Sequence, residues 1–147
     1  EWGSPISYRD FASKPGKADT AAANISVTIV LGYAPGRDGD LTFRVFAAMD
    51  KDQSWIKDEF RNIEILKHEQ GHFDIAHIFA RKLEASLKGK RYTKTDVAKL
   101  NDLYDRYLAM MNDLQTKYDR ETRGGLNPVA QSKWRLFISR ELAALDP

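Results

Sequence analysis

A chain of 147 residues, 42% hydrophobic and 30% charged, can bury one core but is short for two ordinary domains, so a single domain spanning 1–147 is expected. Lys and Arg total 23 against 21 for Asp and Glu, a near-cancellation that argues against nucleic acid as a partner. No apolar run approaches the roughly 20 residues of a membrane span, and the absence of cysteine excludes disulfides, thiolate metal ligands and a cysteine nucleophile together.

The chain opens at Glu1 without an initiator methionine, and a processed end with a signal peptide removed is one reading of that start. Residues 14–23, with Pro15 and Gly16, read as a flexible surface connection. Residues 25–33 are dense in β-branched side chains, and 41–48 alternate Leu41, Phe43 and Val45 with Thr42 and Arg44, so both read as strands. Residues 34–40, with Pro35, Gly36 and Gly39, form a turn-rich loop between them, which makes a hairpin.

From Asp58 the period changes to that of a helix. Phe60, Ile63 and Leu66, then Phe73, Ile75, Ile78, Phe79 and Leu83, trace an apolar face that ends near Gly89. Lys88, Lys90 and Arg91 just beyond read as a solvated helix end. A second helix is expected after Tyr92, capped by Thr93 or Thr95, with Leu100, Leu103, Tyr107, Met111, Leu114 and Tyr118 in one stripe and Met110 and Met111 as core filler. Gly124-Gly125 stops it, and Pro128 starts a third helix that buries Trp134, Ile138 and Leu142. A β-rich part, 1–57, followed by a helical part, 58–147, is an α+β order.

His68-Glu69-Gln70-Gly71-His72 is a complete H-E-x-x-H on the first helix. Residues four apart on a helix point about 40° from one another, so two imidazoles can meet one zinc ion at ~2.0–2.1 Å. Glu69, beside the first ligand, is placed to take a proton from water at the metal rather than to bind the metal itself. The bland alternative is two surface histidines four apart by chance. Gly71 argues for a built site, because a glycine inside a helix costs about 1 kcal/mol relative to alanine unless another segment must approach there.

A catalytic zinc site needs a third protein ligand. His77 is the remaining histidine, but nine residues on it faces about 180° away from His68 on a continuous helix. The second helix, folded back antiparallel, offers Asp119 as the favoured third ligand and Glu121 as an alternative. Asp74 is a candidate for orienting a histidine from behind, beside the simpler reading of a surface charge. Tyr118 and Thr122 are candidates for donating to an oxyanion or, more simply, for a buried structural role.

These residues carry a resemblance. Ile6-Ser7-Tyr8-Arg9-Asp10-Phe11 is similar to an L-x-W-x-D-F opening, Ser54-Trp55 to an S-W pair, and Leu66-Lys67-His68-Glu69-Gln70-Gly71-His72-Phe73-Asp74-Ile75 to L-K-H-E-Q-x-H-F-D-I. Tyr118-Asp119, Thr122, Gly125, Gln131 and Trp134 resemble Y-D-x-x-T-x-H-G followed by Q-x-x-W. The four blocks, in this order, are those of the bacterial DUF922 proteins, regarded as secreted zinc-dependent proteases. The chain departs from that pattern at Gly124, where the family usually has histidine, and at His77, where it commonly has an acidic residue.

The resemblance implies an exported, secreted or periplasmic protein with a zincin-like fold. Motif and resemblance together lead to one expectation of function: a zinc-dependent hydrolase that cleaves peptide bonds. Glu69 is its general base and His68, His72 and Asp119 are its metal ligands. By analogy with other zincins, a strand edge holds an extended peptide or protein substrate. The alternative is a degenerate zincin that binds metal or a protein partner without turnover.

Overall fold

The computed structural model of the chain describes residues 1–145. It is α+β: a two-stranded antiparallel hairpin of β1 (Ala23–Pro35) and β2 (Leu41–Ile56) precedes helices α1 (Ile63–Leu87), α2 (Val97–Thr122) and α3 (Pro128–Leu145). Short 3-10 turns at Tyr8–Asp10, Asp58–Phe60 and Lys94–Asp96 join the pieces.

The strands pair in register from Pro35 opposite Leu41 back to Ala23 opposite Ile56, with an irregularity between Asn24 and Ser26. Ser54 fills that irregularity. Its hydroxyl oxygen accepts the Ser26 N–H at 2.9 Å and its O–H donates to the Asp50 carbonyl at 2.7 Å, so a backbone donor displaced from the ladder keeps a partner. β2 thus runs eight residues past the expected end at Ala48, through the polar stretch of Asp50, Lys51, Asp52 and Gln53. Alternation of its own side chains does not hold that stretch extended: β1 pairs with Asp50 and again from Trp55, and between them the backbone N–H groups of Ala12 and Ser13 donate to the Lys51 and Ser54 carbonyls.

α1 is the central element and is buried on most of its faces: Ile75, Ala76, Ala80 and Leu83 have no exposed surface, and His68, Glu69 and His72 are also buried. It contacts the hairpin on one side and α2 and α3 on the other. It starts later than the apolar spacing suggests, because Phe60 belongs to the preceding turn and Asn62 caps the helix, its Oδ1 accepting the Ile65 N–H at 3.0 Å. In α2, Met111 is buried as expected but Met110 is 40% exposed, since adjacent helical residues point about 100° apart and the buried stripe is one residue wide there. Thr93 caps the turn at Lys94–Asp96 rather than α2 itself.

The free side of β1 matters for the site. The Trp2 N–H donates to the Ala47 carbonyl at 2.9 Å, so Ala47 and its partner Ile29 form a pair whose backbone groups point away from the ladder. The Ile29 carbonyl accordingly accepts the Tyr104 hydroxyl of α2 at 2.8 Å. Val27, two residues earlier, shares that orientation, and there β1 borders an open cleft instead of a helix.

Candidate metal centre

Two residues one turn apart on α1 meet one residue near the end of α2. His68 Nε2 lies 2.9 Å and His72 Nε2 2.8 Å from the same oxygen, Asp119 Oδ1. One ligand atom from each of the three falls within 4.8 Å of the others. Both rings are buried, while the Asp119 side chain is half-exposed and opens the group towards solvent.

The far edge of each ring is held by a glutamine. His72 Nδ1 is 2.6 Å from Gln115 Oε1, and the same amide's Nε2–H donates to the His72 carbonyl at 2.8 Å. His68 Nδ1 is 2.8 Å from Gln131 Oε1; Gln131 Nε2–H donates to the Tyr118 hydroxyl at 2.9 Å, and that hydroxyl donates to the His68 carbonyl at 2.8 Å. Each amide is oriented by its second bond, with oxygen towards the ring, so each ring keeps its proton on Nδ1. Both Nε2 lone pairs therefore converge on a carboxylate oxygen. Neutral rings and a carboxylate repel in that arrangement unless a cation lies among them, and two imidazoles with one carboxylate are a donor set that fits a divalent transition metal.

The charges respond to the crowding. Burial opposes a charge on His72, but the hydrogen bond that Nε2 donates to Asp119 once the ring takes a second proton, with the nearby Glu69 and Asp119 charges, outweighs it and raises its pKa. Partial burial works to raise Asp119, yet the nearness of the two imidazole Nε2 atoms, which stabilise its charge once a proton or other cation lies between them, holds its carboxyl well below the usual carboxylate range. Burial pushes the Glu69 carboxyl up, with the two histidines pulling the other way and Asp119 adding to the rise.

Two glycines make the packing possible. A Cβ on Gly71 would run into the Tyr118 hydroxyl, which is the close approach its place inside the motif suggests. A Cβ on Gly125, at φ 93°, would lie 2.8 Å from His68 Cβ and Cγ, so the turn after α2 presses its backbone against the imidazole.

The other sequence candidates go elsewhere. His77 stacks on Trp2, ring centroids 3.7 Å apart, away from the cluster. Glu121 accepts the Trp134 Nε1–H at 3.3 Å. Asp74 accepts from Trp2 Nε1 at 2.7 Å and Gln70 Nε2 at 2.9 Å, so it ties the N-terminal segment to α1. Tyr118 and Thr122 are fully buried, with their hydroxyls donating to the His68 and Tyr118 carbonyls, which leaves the structural reading of both. Gln115 was not singled out from sequence; its position four residues before Asp119, on the same helix face, is the signal that could have found it.

The cluster forms the floor of a cleft of about 580 Å³. Residues 20–27 make one wall, Met111, Asn112 and Gln115 another, and Arg123 and Leu126 lie beyond Asp119; Glu69 lines the cleft beside the two histidines.

An α+β chain with a buried two-histidine, one-carboxylate cluster is thus a candidate metalloprotein. A family model described as "Bacterial protein of unknown function (DUF922)" matches residues 44–125, more than half of the 147, and the chain belongs to that family. The match contains β2 from Arg44 onward, the H-E-x-x-H helix and Asp119, and stops before Gln131. No curated protein and no solved structure matches the chain.

Proposed function

We propose that this protein is a zincin-like, zinc-dependent peptidase, exported to the periplasm or beyond, in which His68, His72 and Asp119 hold the metal and Glu69 is the general base. One observation carries the reading: two buried imidazoles with protons committed to Gln131 and Gln115 aim their free nitrogens at one Asp119 oxygen, beside a buried glutamate that lines an open cleft. When bound there, zinc would supply Lewis acidity, making water nucleophilic at neutral pH and polarising a peptide carbonyl.

The chain's own residues supply the rest. Glu69, made more basic by burial, takes the proton from water as the water oxygen bonds to the carbonyl carbon, and returns it to the amine nitrogen as the C–N bond breaks. Val27, with backbone groups turned to the cleft, is placed to pair with an extended peptide as an added strand. Asp119 and the glutamines fix the rings so that nothing reorganises during the step. Export rests on the family resemblance alone, and cell fractionation tests it.

Two measurements test the activity. Metal analysis of protein purified without added zinc is expected to find about one zinc per chain; an empty site or iron would overturn the zinc assignment. Against a broad peptide library, Glu69→Ala is expected to lose roughly 10²-fold or more of the wild-type rate. Equal background from both would favour the second reading, a metal-binding domain without turnover. Gly124 favours that reading, since it puts no side chain at the cleft where the resemblance leads one to expect histidine.

A further inference from the structure

We propose that Arg123 binds a carboxylate on the peptide in the cleft, so that the site selects ligands carrying an acidic side chain or a free C-terminus. The inference deepens the peptidase reading and rests on it for the peptide nature of the ligand.

Three observations carry it. Among the described residues that line the cleft, Arg123 is the one Lys or Arg, and it sits there with Glu69 and Asp119. Its guanidinium holds no carboxylate among the described residues, whereas Arg44, Arg61, Arg91 and Arg135 pair with Glu1, Asp58, Asp40 and Glu64. The nearest internal candidate by sequence, Asp119, turns its Oδ1 to the two histidines and forms no ion pair with Arg123 among the described residues.

The third observation is the backbone. Arg123 is the C-cap of α2 at φ 51° and ψ 48°, and among the described residues it is the one non-glycine with positive φ. That left-handed position is where helices usually place glycine, and the next two residues are glycines with positive φ. A long cationic side chain is kept there at a conformational cost, a pattern associated with functional sites.

Placement sets the register. α2 pairs Gln115 with His72 and Thr122 with His68, so Arg123 lies beyond His68, at one end of the cleft. A peptide passing the metal-facing atoms would bring a neighbouring residue to the guanidinium. The planar fork of arginine matches a carboxylate through two parallel hydrogen bonds, which lysine cannot do.

The test is a binding measurement on zinc-loaded Glu69→Gln protein, in which removal of the general base is expected to prevent cleavage during the measurement. Fluorescent neutral peptides are compared with versions carrying one Asp or Glu at successive positions, each with a free or amidated C-terminus. The expected result is that one carboxylate-bearing set binds about 10-fold tighter than its neutral counterpart. Adding Arg123→Gln brings the two within about 2-fold and leaves neutral peptides unchanged. Arg123→Gly, whose backbone suits the cap, is expected to behave alike, which separates loss of the guanidinium from damage to the helix end. The set that loses its advantage identifies the source as side chain or C-terminus.

A preference that survives Arg123→Gln overturns the proposal, because the metal would then be holding the carboxylate. So does equal binding of acidic and neutral peptides, or no binding of either. Absence of cleavage by the wild type with Arg123-dependent binding intact would sink the peptidase reading and leave this one standing.

Discussion

Gly71 shows how a single missing methyl group can decide a site. Alanine would be preferred by about 1 kcal/mol in an isolated helix. Here its Cβ would displace Tyr118, which is fully buried and bonded to both the His68 carbonyl and Gln131 and so has nowhere to move. Gly71→Ala is therefore expected to destabilise the fold by about 1–3 kcal/mol despite the better propensity. Chemical denaturation checks it, and unchanged stability would mean Tyr118 is not clamped as described. The glutamines are the other residue-scale prediction. Gln115→Ala removes the acceptor that keeps the His72 proton on Nδ1, and zinc affinity is expected to fall roughly 10- to 100-fold by competition titration. Gln115→Glu, which restores an acceptor, should recover most of it.

At the scale of elements, α1 must begin in one register for its histidines to face α2. Asn62 sets that start, and Asn62→Ala should cost about 1 kcal/mol in thermal or denaturant unfolding without altering metal stoichiometry. Much of this level was legible beforehand. The hairpin, the change to helical period and the glycine stop after α2 all follow from local patterns. The end of β2 did not, because Asp50, Lys51, Asp52 and Gln53 lack the alternation of a strand and are kept extended by partners in other segments: Ala12 N–H donates to the Lys51 carbonyl at 3.1 Å and Ser13 N–H to that of Ser54 at 2.9 Å. The exposure of Met110 was missed for a related reason, since the width of a buried stripe depends on what packs against it.

Over the whole molecule, the cluster links folding to protons and, on the proposed function, to metal. His72 has a raised pKa in the metal-free fold, so its protonated form contributes stability that is fully present below the ordinary value of 6.5 and is lost as pH rises through the folded value. Asp119 has a lowered pKa, so its contribution is present above 3.8 and is lost as pH falls through the folded value. Metal binding must expel the His72 proton, which works in the opposite direction on affinity. Above about pH 6.5, then, protein without added metal should lose stability as pH rises while the stabilisation added by zinc grows. Thermal unfolding with and without zinc across that range checks both slopes; a zinc-induced shift independent of pH would show that no proton is displaced.

Sequence alone determined the pair of imidazoles, the neighbouring glutamate and the α+β order, because helical spacing and strand alternation are local properties written within a few residues. It also favoured Asp119 as the third donor, with Glu121 and His77 behind it, since helical spacing turns His77 away from His68 and an antiparallel second helix brings the other two across. Only the tertiary structure decided among the positions of those three, brought Gln115 and Gln131 behind the rings, and left Arg123 lining a cleft without a carboxylate partner among the described residues. Those outcomes depend on how residues 43 to 63 apart along the chain pack together, and no local pattern encodes a distance between helices.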